Sequence, residues 1–280
     1  MRVEESQYIG YDGERLFLTA WLPDRDKPRA LLVALHGLGS HGQALKNIGE
    51  YFCERGLAVL APDLRGFGHN PAPKGHVMRF MEYVEDIHNL VRMARDHYRS
   101  DILFLFGHSM GGLVAILTAL HYQRDLDGLV LSCPAVSQRL PVPSWKRVAG
   151  EILSLLNVRR YFSSGISFEY ASHDPRVAEA HARDPLRFDM VTPRFGIEGL
   201  RATSRGMRAA SMITLPTLVQ QAGDDRYVDP ERTKKFFDQL ASGDKTFKFY
   251  EGLYHELHSE IDKDQVLHDM MEWLERRIPA

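Results

Sequence analysis

The sequence has few cysteines, almost no net charge and no long apolar run, and each shortage excludes a class of protein. Two cysteines in 280 residues, Cys53 and Cys133, are too few for a disulfide framework and match no metal-ligand spacing. The chain carries 35 Lys and Arg against 37 Asp and Glu, so it lacks the basic excess of a nucleic-acid-binding protein. No stretch approaches about 18 consecutive apolar residues, and residues 1–11 contain no signal-peptide core. We therefore expect a cytoplasmic protein with two buried thiols, no cofactor, no metal and no nucleic-acid partner.

The hydrophobic pattern that is present predicts strands alternating with helices. Residues 6–11 and 15–22 alternate between apolar and polar, and the Asp12-Gly13 pair between them is a strong hairpin signal. Short continuous apolar runs follow, which are typical of strands buried on both faces of a parallel sheet. These runs lie at 30–35, 57–61, 102–106, 128–131, 217–222 and 246–250. Helical spacing occupies 43–55, 80–98, 110–122, 230–240 and 264–277. The order predicts an α/β fold with a mostly parallel central sheet, flanking helices and an antiparallel edge.

One region interrupts this order. Residues 137–208 contain no clear strand, and they carry 12 Lys and Arg against 7 Asp and Glu. An apolar stretch at 152–156 lies among short helical patterns. We therefore expect a helical cap at residues 137–208, inserted into a core formed by residues 1–136 and 209–280.

A serine flanked by glycines follows the predicted strand at 102–106. The chain runs Gly107-His108-Ser109-Met110-Gly111 and then continues as a helix. A serine on a sharp turn from strand to helix needs small neighbours, and it presents its hydroxyl at the edge of the sheet. The start of the helix favours developing negative charge. This context predicts Ser109 as a nucleophile, against the alternative of a glycine-rich turn with a capping serine.

A serine nucleophile needs a base, and the base needs an acid that orients it. In such a fold the acid and then the base follow the serine along the chain, each after a strand. The acids in the turn after the strand at 217–222 are Asp224, Asp225 and Asp229. The histidines in or after the loop that follows the last strand are His255, His258 and His268. We favour His255 as the base because it comes soon after a strand, and the residues themselves leave the acid open.

Acyl transfer also needs backbone N–H groups that stabilise the oxyanion. One is expected from Met110, the residue after the nucleophile, and another from Leu38 in the loop after the first buried strand. Gly37 and Gly39 allow that backbone to approach a substrate. We expect His36 to be structural, with its ring holding this loop by hydrogen bonds.

Four segments together resemble the monoacylglycerol lipase and lysophospholipase group of α/β-hydrolases. They are the loop at 36–39, the glycine-rich loop at 63–69, the serine motif at 107–112 and the loop at 250–258, and the segment at 174–186 resembles that group's cap. The resemblance covers nearly the whole chain. It implies an α/β-hydrolase fold, oxyanion donors at Leu38 and Met110, and no cofactor. It also implies a triad of Ser109, Asp225 and His255.

The activity implied by these residues is ester hydrolysis through an acyl-enzyme. We expect a monoacylglycerol lipase that releases fatty acid and glycerol, with lysophospholipase and general carboxylesterase as alternatives. Apolar residues of the cap would line an acyl tunnel. The basic, leucine-containing cap would also contact lipid surfaces, so that the cytoplasmic enzyme associates peripherally with membranes.

Two further functions stay open. The same triad serves peptidases, perhydrolases and carbon–carbon bond hydrolases. A peptidase that removes N-terminal residues would need a cap carboxylate to hold the substrate ammonium, and the candidates are Glu169, Glu179 and Glu198. The other function is a non-catalytic binding module that kept the fold, which hydrolysis of a chromogenic ester would exclude.

Overall fold

An eight-stranded sheet forms the centre of the fold in the computed structural model, which describes residues 1–25, 27–71, 73–137 and 143–279. The strands are β1 (Arg2–Ile9), β2 (Arg15–Leu22), β3 (Leu31–Leu35), β4 (Ala58–Pro62), β5 (Leu103–His108), β6 (Gly128–Ser132), β9 (Thr217–Ala222) and β10 (Lys245–Tyr250). Their order across the sheet is β1-β2-β4-β3-β5-β6-β9-β10. The hairpin β1–β2 and the β2–β4 pair are antiparallel, and the other pairs are parallel.

Helices cover both faces of this sheet. They are α1 (Lys46–Glu54), α2 (Met81–Tyr98), α3 (Met110–Tyr122), α4 (Ser144–Leu155), α5 (Pro175–Arg183), α6 (Pro193–Ala209), α7 (Pro230–Gln239) and α8 (Lys263–Glu275). One apolar cluster joins the sheet to α2 and α3, and a second joins it to α1 and α8. Strands β3 to β6 and β9 are buried along their whole length, as their continuous apolar runs predict. The predicted α/β fold with an antiparallel edge is therefore confirmed.

The chain between β6 and β9 leaves the sheet and forms the insert, described here at residues 143–209. It contains α4, α5 and α6, as the helical pattern predicts. It also contains a two-residue antiparallel pair, β7 (Phe162–Ser163) with β8 (Met190–Val191). Strands this short have no detectable periodicity, so the expectation of a region without strands was wrong on this point. The boundaries at 136/137 and 208/209 stay a prediction, and residues 138–142 lie outside the described residues.

The insert lies over the carboxyl ends of the parallel strands. The backbone N–H of Phe188 donates to the carbonyl of Gly39 at 2.9 Å, and the N–H of Glu256 donates to that of Ala171 at 2.8 Å. Histidine–carboxylate pairs add to these contacts, among them His173 with Glu260 at 2.8 Å. The loops that follow β3, β5, β9 and β10 all lie at this edge, so the predicted site residues converge there.

Both cysteines are buried free thiols. Within the ranges described, no helix combines the length and the apolar character that a membrane crossing requires.

Candidate active site

Ser109 occupies the sharp turn between β5 and α3. Its φ of 54° lies in the left-handed region, where a residue with a side chain is strained. The turn is possible because its glycines leave room: a Cβ on Gly107 would lie 2.3 Å from the carbonyl oxygen of Gly111, and one on Gly111 would lie 2.4 Å from that of Leu35. The sequence therefore requires glycine on both sides of the serine, which lies half-buried at the edge of the sheet.

Asp225 and His255 are in direct contact, although 30 residues separate them. The His255 ring nitrogen Nδ1 lies 2.7 Å from Asp225 Oδ2. The other carboxylate oxygen, Oδ1, accepts hydrogen bonds from the backbone N–H groups of Tyr227 and Val228, each at 2.9 Å. Burial alone would raise the pKa of Asp225, but the charge and hydrogen bond of His255 and these two amides lower it to about 2. Asp225 is therefore a fixed anion that orients the His255 ring.

The other candidate acids and bases lie elsewhere. Asp224 is partly exposed and pairs with Arg226 at 3.0 Å. Asp229 accepts a hydrogen bond from the N–H of Glu231 and caps α7. His268 is exposed on α8. Of the three candidate acids, Asp225 contacts His255, whereas Asp224 and Asp229 have other partners.

The His108 ring contacts the rings of both His255 and His258. The His108 ring lies 4.7 Å from that of His255 and 4.9 Å from that of His258, centroid to centroid. Burial lowers the pKa of His258 to about 4 and that of His108 well below its usual value. Both rings are therefore neutral at neutral pH.

The loop after β3 lies directly against the serine turn. A Cβ on Gly37 would lie 3.3 Å from Ser109 Cβ, so a side chain here would crowd the serine turn. The buried His36 ring lies 2.7 Å from the Gly37 carbonyl through Nδ1 and accepts from the N–H of Leu64 at Nε2, at 2.9 Å. This confirms the structural role expected for His36. The predicted oxyanion donors, Leu38 and Met110, flank Ser109 from this loop and from the first turn of α3, whose amides have no partner within the helix.

Ser109 and His255 line one small cavity of about 40 Å³. Its wall also includes Leu38, His258, Arg187 and Glu256. The sequence motifs did not indicate Arg187 or Glu256 as site residues. Arg187 belongs to the insert, where its sequence resembles that of any solvated arginine. Glu256 directly follows the base and was not considered separately. The three glutamates considered for an ammonium site do not contribute to this wall. Glu169 is exposed, Glu179 pairs with Arg183, and Glu198 accepts from the N–H of Phe80.

A larger, mostly apolar groove of about 600 Å³ adjoins the small cavity. Leu38 lines both spaces. The rest of the groove belongs to the insert, with walls from α4, α6 and the β7–β8 pair, including Leu153, Phe162, Val191 and Ile197. Ser109 thus lines a small polar cavity that meets the apolar groove at Leu38.

The described residues that come closest to a metal site are Cys133, Asp225 and His255, whose ligand atoms lie within 4.8 Å of one another. Burial raises the pKa of the Cys133 thiol well above its usual value. A protonated thiol is a poor ligand, and Asp225 and His255 already bind each other.

Comparison with known proteins identifies the family of the chain. A family profile described as "Serine aminopeptidase, S33" matches residues 26–262. The chain belongs to this family of α/β-hydrolases. Phospholipase YtpA of Bacillus subtilis is 32% identical over 250 residues, which cover 88% of this chain and 95% of that protein. The monoacylglycerol lipase of Mycolicibacterium smegmatis is 30% identical over 276 residues, which cover 96% of each chain.

A solved member of the same fold is the monoacylglycerol lipase of Paleococcus ferrophilus. Its crystal structure matches with a TM-score of 0.85 at 26% identity, covering 93% of this chain and 98% of that one. The names of this family and of these members refer to peptide bonds, phospholipids and monoacylglycerols. The family therefore does not specify the bond that this chain cleaves, and that bond has to be inferred from the residues of its own site.

Proposed function

We propose that the chain is a serine-dependent carboxylic ester hydrolase whose substrates are monoacylglycerols. The observation that carries the proposal is that Ser109 and His255 line one cavity beside an apolar groove, with Asp225 in contact with His255. A small polar cavity at the nucleophile and a larger apolar groove beside it match an ester with a small polar alcohol and a fatty acyl chain. The monoacylglycerol lipases among its relatives support the same substrate class.

The proposed reaction proceeds in two steps. The Nε2 atom of His255 takes the proton from the Ser109 hydroxyl, and the oxygen attacks the ester carbonyl. The N–H groups of Leu38 and Met110 stabilise the oxyanion of the tetrahedral intermediate. Protonated His255 then gives its proton to the leaving alcohol, and a water molecule, activated by His255, releases the fatty acid and restores Ser109. Asp225 holds the imidazole with Nδ1 protonated and stabilises the imidazolium.

A substrate panel tests this proposal. A monoacylglycerol, a diacylglycerol, a lysophosphatidylcholine and a fatty acid methyl ester, all with the same acyl chain, are assayed with and without a serine-directed fluorophosphonate. We expect the monoacylglycerol to be cleaved with the highest kcat/KM, and the fluorophosphonate to stop all hydrolysis. A preference for the lysophospholipid would instead favour the alternative suggested by the name of the Bacillus subtilis relative. No inhibitor-sensitive ester hydrolysis would reject the proposal.

We also propose that α4 brings the enzyme to lipid surfaces. One side of α4 packs on α6, where Gly150 faces Ile197 and Glu151 pairs with Arg201 at 2.6 Å. The opposite side exposes a row of apolar side chains at helical spacing, with Leu155 75% and Trp145 68% exposed. The row consists of Trp145, Val148, Ile152, Leu155 and Leu156. Basic residues flank it at 146–147 and 159–160, which suits anionic head groups. Leu153, which the sequence groups with this row, is partly buried and lines the groove, and Trp145 lines the groove as well.

Replacing Ile152, Leu155 and Leu156 with serine should remove most of the binding to anionic vesicles. Exposed leucines gain free energy by entering the interface, and serine does not. Co-sedimentation with phosphatidylcholine vesicles, with and without phosphatidylglycerol, measures the bound fraction. Binding should require the anionic lipid and weaken with salt. Ile261→Ser is the matched control, because Ile261 is 63% exposed and lies outside α4. Unchanged binding of the triple variant, or no binding of the unmodified protein at low salt, would contradict the proposal.

A further inference from the structure

Two opposite charges lie in the wall of the small cavity beside Ser109. Glu256 directly follows His255, its carboxylate lies 3.3 Å from His181 Nε2, and its side chain is only 12% exposed. Arg187 comes from the insert between α5 and β8, and its side chain is 7% exposed. An alcohol group that leaves Ser109 through this cavity would pass both of them. They are therefore placed to discriminate between head groups.

Arg187 alone would attract an anionic head group, but two carboxylates surround its guanidinium. Its Nη2 atom lies 3.9 Å from Glu256 Oε1, and its Nε atom lies 4.0 Å from Asp184 Oδ2. Burial would raise the pKa of Glu256, but the hydrogen bond from His181 and the charges of His181 and Arg187 hold it well below its usual range. Glu256 is therefore an anion at neutral pH. One cation facing two anions leaves no surplus positive charge for a phosphate.

The other polar groups at this wall do not supply that positive charge. Burial keeps His258 and His108 neutral, as described above. His41 Nε2 lies 2.7 Å from Asp184 Oδ2, and His181 Nε2 lies 3.3 Å from Glu256 Oε2. Neither of these rings lines the cavity, and each points at a carboxylate instead. A phosphate in the cavity would meet the Glu256 carboxylate at close range, where water cannot screen the repulsion.

We propose that Glu256 determines head-group specificity: it admits uncharged polyol head groups and excludes head groups that carry a phosphate. The inference rests on the proposed ester hydrolysis at Ser109, with the acyl chain in the apolar groove. A polyol hydroxyl can donate to the Glu256 carboxylate, and a neighbouring hydroxyl can accept from the Arg187 guanidinium. A phosphate has no hydrogen to donate when fully ionised and places negative charge against Glu256. The opposing pair therefore fits a vicinal diol better than either an anion or an apolar alcohol.

The test compares three esters of one fatty acid at pH 8, where unperturbed histidines are neutral. They are a monoacylglycerol, the same monoacylglycerol phosphorylated on its free primary hydroxyl, and the methyl ester, each below its aggregation concentration. Each kcat/KM is divided by that of the methyl ester for the same variant, so that general damage to the site cancels. We expect the unmodified protein to prefer the monoacylglycerol over its phosphate by on the order of 100-fold.

Glu256→Gln should reduce that preference at least about tenfold, because Arg187 then faces one carboxylate instead of two. The relative kcat/KM for the phosphate should rise, and that for the monoacylglycerol should fall through a higher KM. The matched control is Glu251→Gln, which removes an exposed carboxylate from the same loop and should leave the ratio unchanged. If Glu256→Gln does not fold, Asp184→Asn removes the second carboxylate near Arg187 and should shift the ratio in the same direction.

Failure of this inference is distinguishable from failure of the proposed function. If the unmodified protein cleaves none of the three esters, the proposed function is wrong. If it cleaves the methyl ester but accepts the phosphate as readily as the monoacylglycerol, ester hydrolysis stands and the role of Glu256 is rejected. An unchanged ratio in a folded Glu256→Gln variant would reject it as well.

Discussion

Replacing Ser109 with alanine should reduce ester hydrolysis by on the order of 10⁶-fold and leave the fold intact. The expected loss is large because the serine oxygen forms the covalent intermediate. Without the serine hydroxyl, the His255–Asp225 pair has no nucleophile to activate. Hydrolysis of a short-chain chromogenic ester measures the activity, and thermal unfolding measures the fold. A fluorophosphonate should label the unmodified protein and leave the variant unlabelled.

The stability of this variant should stay close to that of the unmodified protein. Ser109 has a φ of 54°, and alanine carries the same Cβ, so the strain of the turn does not change. Ser132→Ala is the matched control, because it removes a serine hydroxyl beside the nucleophile. Ser132 ends the neighbouring strand β6, and its carbonyl accepts from the N–H of Ser109. Its hydroxyl is buried without a hydrogen-bond partner. It should keep most of the activity. A folded Ser109→Ala variant with near-normal activity would reject the mechanism.

The sheet and the serine turn were predictable because short-range physics specifies them. Continuous apolar runs at 30–35 and 102–106 indicate strands that are buried on both faces, and the structure buries all of these residues except Ile102, which is partly buried. The glycines at 107 and 111 indicate a turn in which a Cβ does not fit, and the clashes at 2.3 and 2.4 Å show why. In both cases a few neighbouring residues contain the whole signal.

The polar wall of the cavity was not predictable, because it joins distant parts of the chain. Arg187 reaches the cavity only when the insert packs on the core, and nothing in its local sequence distinguishes it from a surface arginine. The same reason applies to Leu153, which the apolar stretch at 152–156 groups with the exposed leucines but which lines the groove. Helical spacing shows that 152–156 is apolar, but which side faces outward depends on how α4 packs on α6, with Gly150 at the contact.

Assigning the acid of the site required the family resemblance and the structure in addition to the local sequence. Local sequence offered Asp224, Asp225 and Asp229 as equivalent turn residues, and the family resemblance favoured Asp225. The structure then brings Asp225 to His255 and gives the other two carboxylates different partners. The contact supports the assignment, and the activity of matched variants decides it.

Asp225→Asn should lower turnover by roughly 10⁴-fold, because it reverses the tautomer of His255. The N–H groups of Tyr227 and Val228 both donate to Asp225 Oδ1, so an asparagine would place its carbonyl oxygen there and turn its NH₂ group toward His255. Gln221, which donates to Oδ2 at 3.2 Å, can rotate its amide to accept instead. His255 Nδ1 would then accept a hydrogen bond, the proton would sit on Nε2, and the ring could not take the Ser109 proton.

Asp224→Asn and Asp229→Asn are the matched controls for this prediction, since each removes one carboxylate charge from the same turn. Asp224 pairs with Arg226 in partly exposed positions, where an ion pair contributes little. Asp229 caps α7, and asparagine caps a helix about as well as aspartate. Both variants should therefore keep near-normal turnover and stability, measured by ester hydrolysis and thermal unfolding. If Asp224→Asn were inactive while a folded Asp225→Asn stayed active, the acid would have been assigned to the wrong neighbour, and the 2.7 Å contact with His255 would be structural.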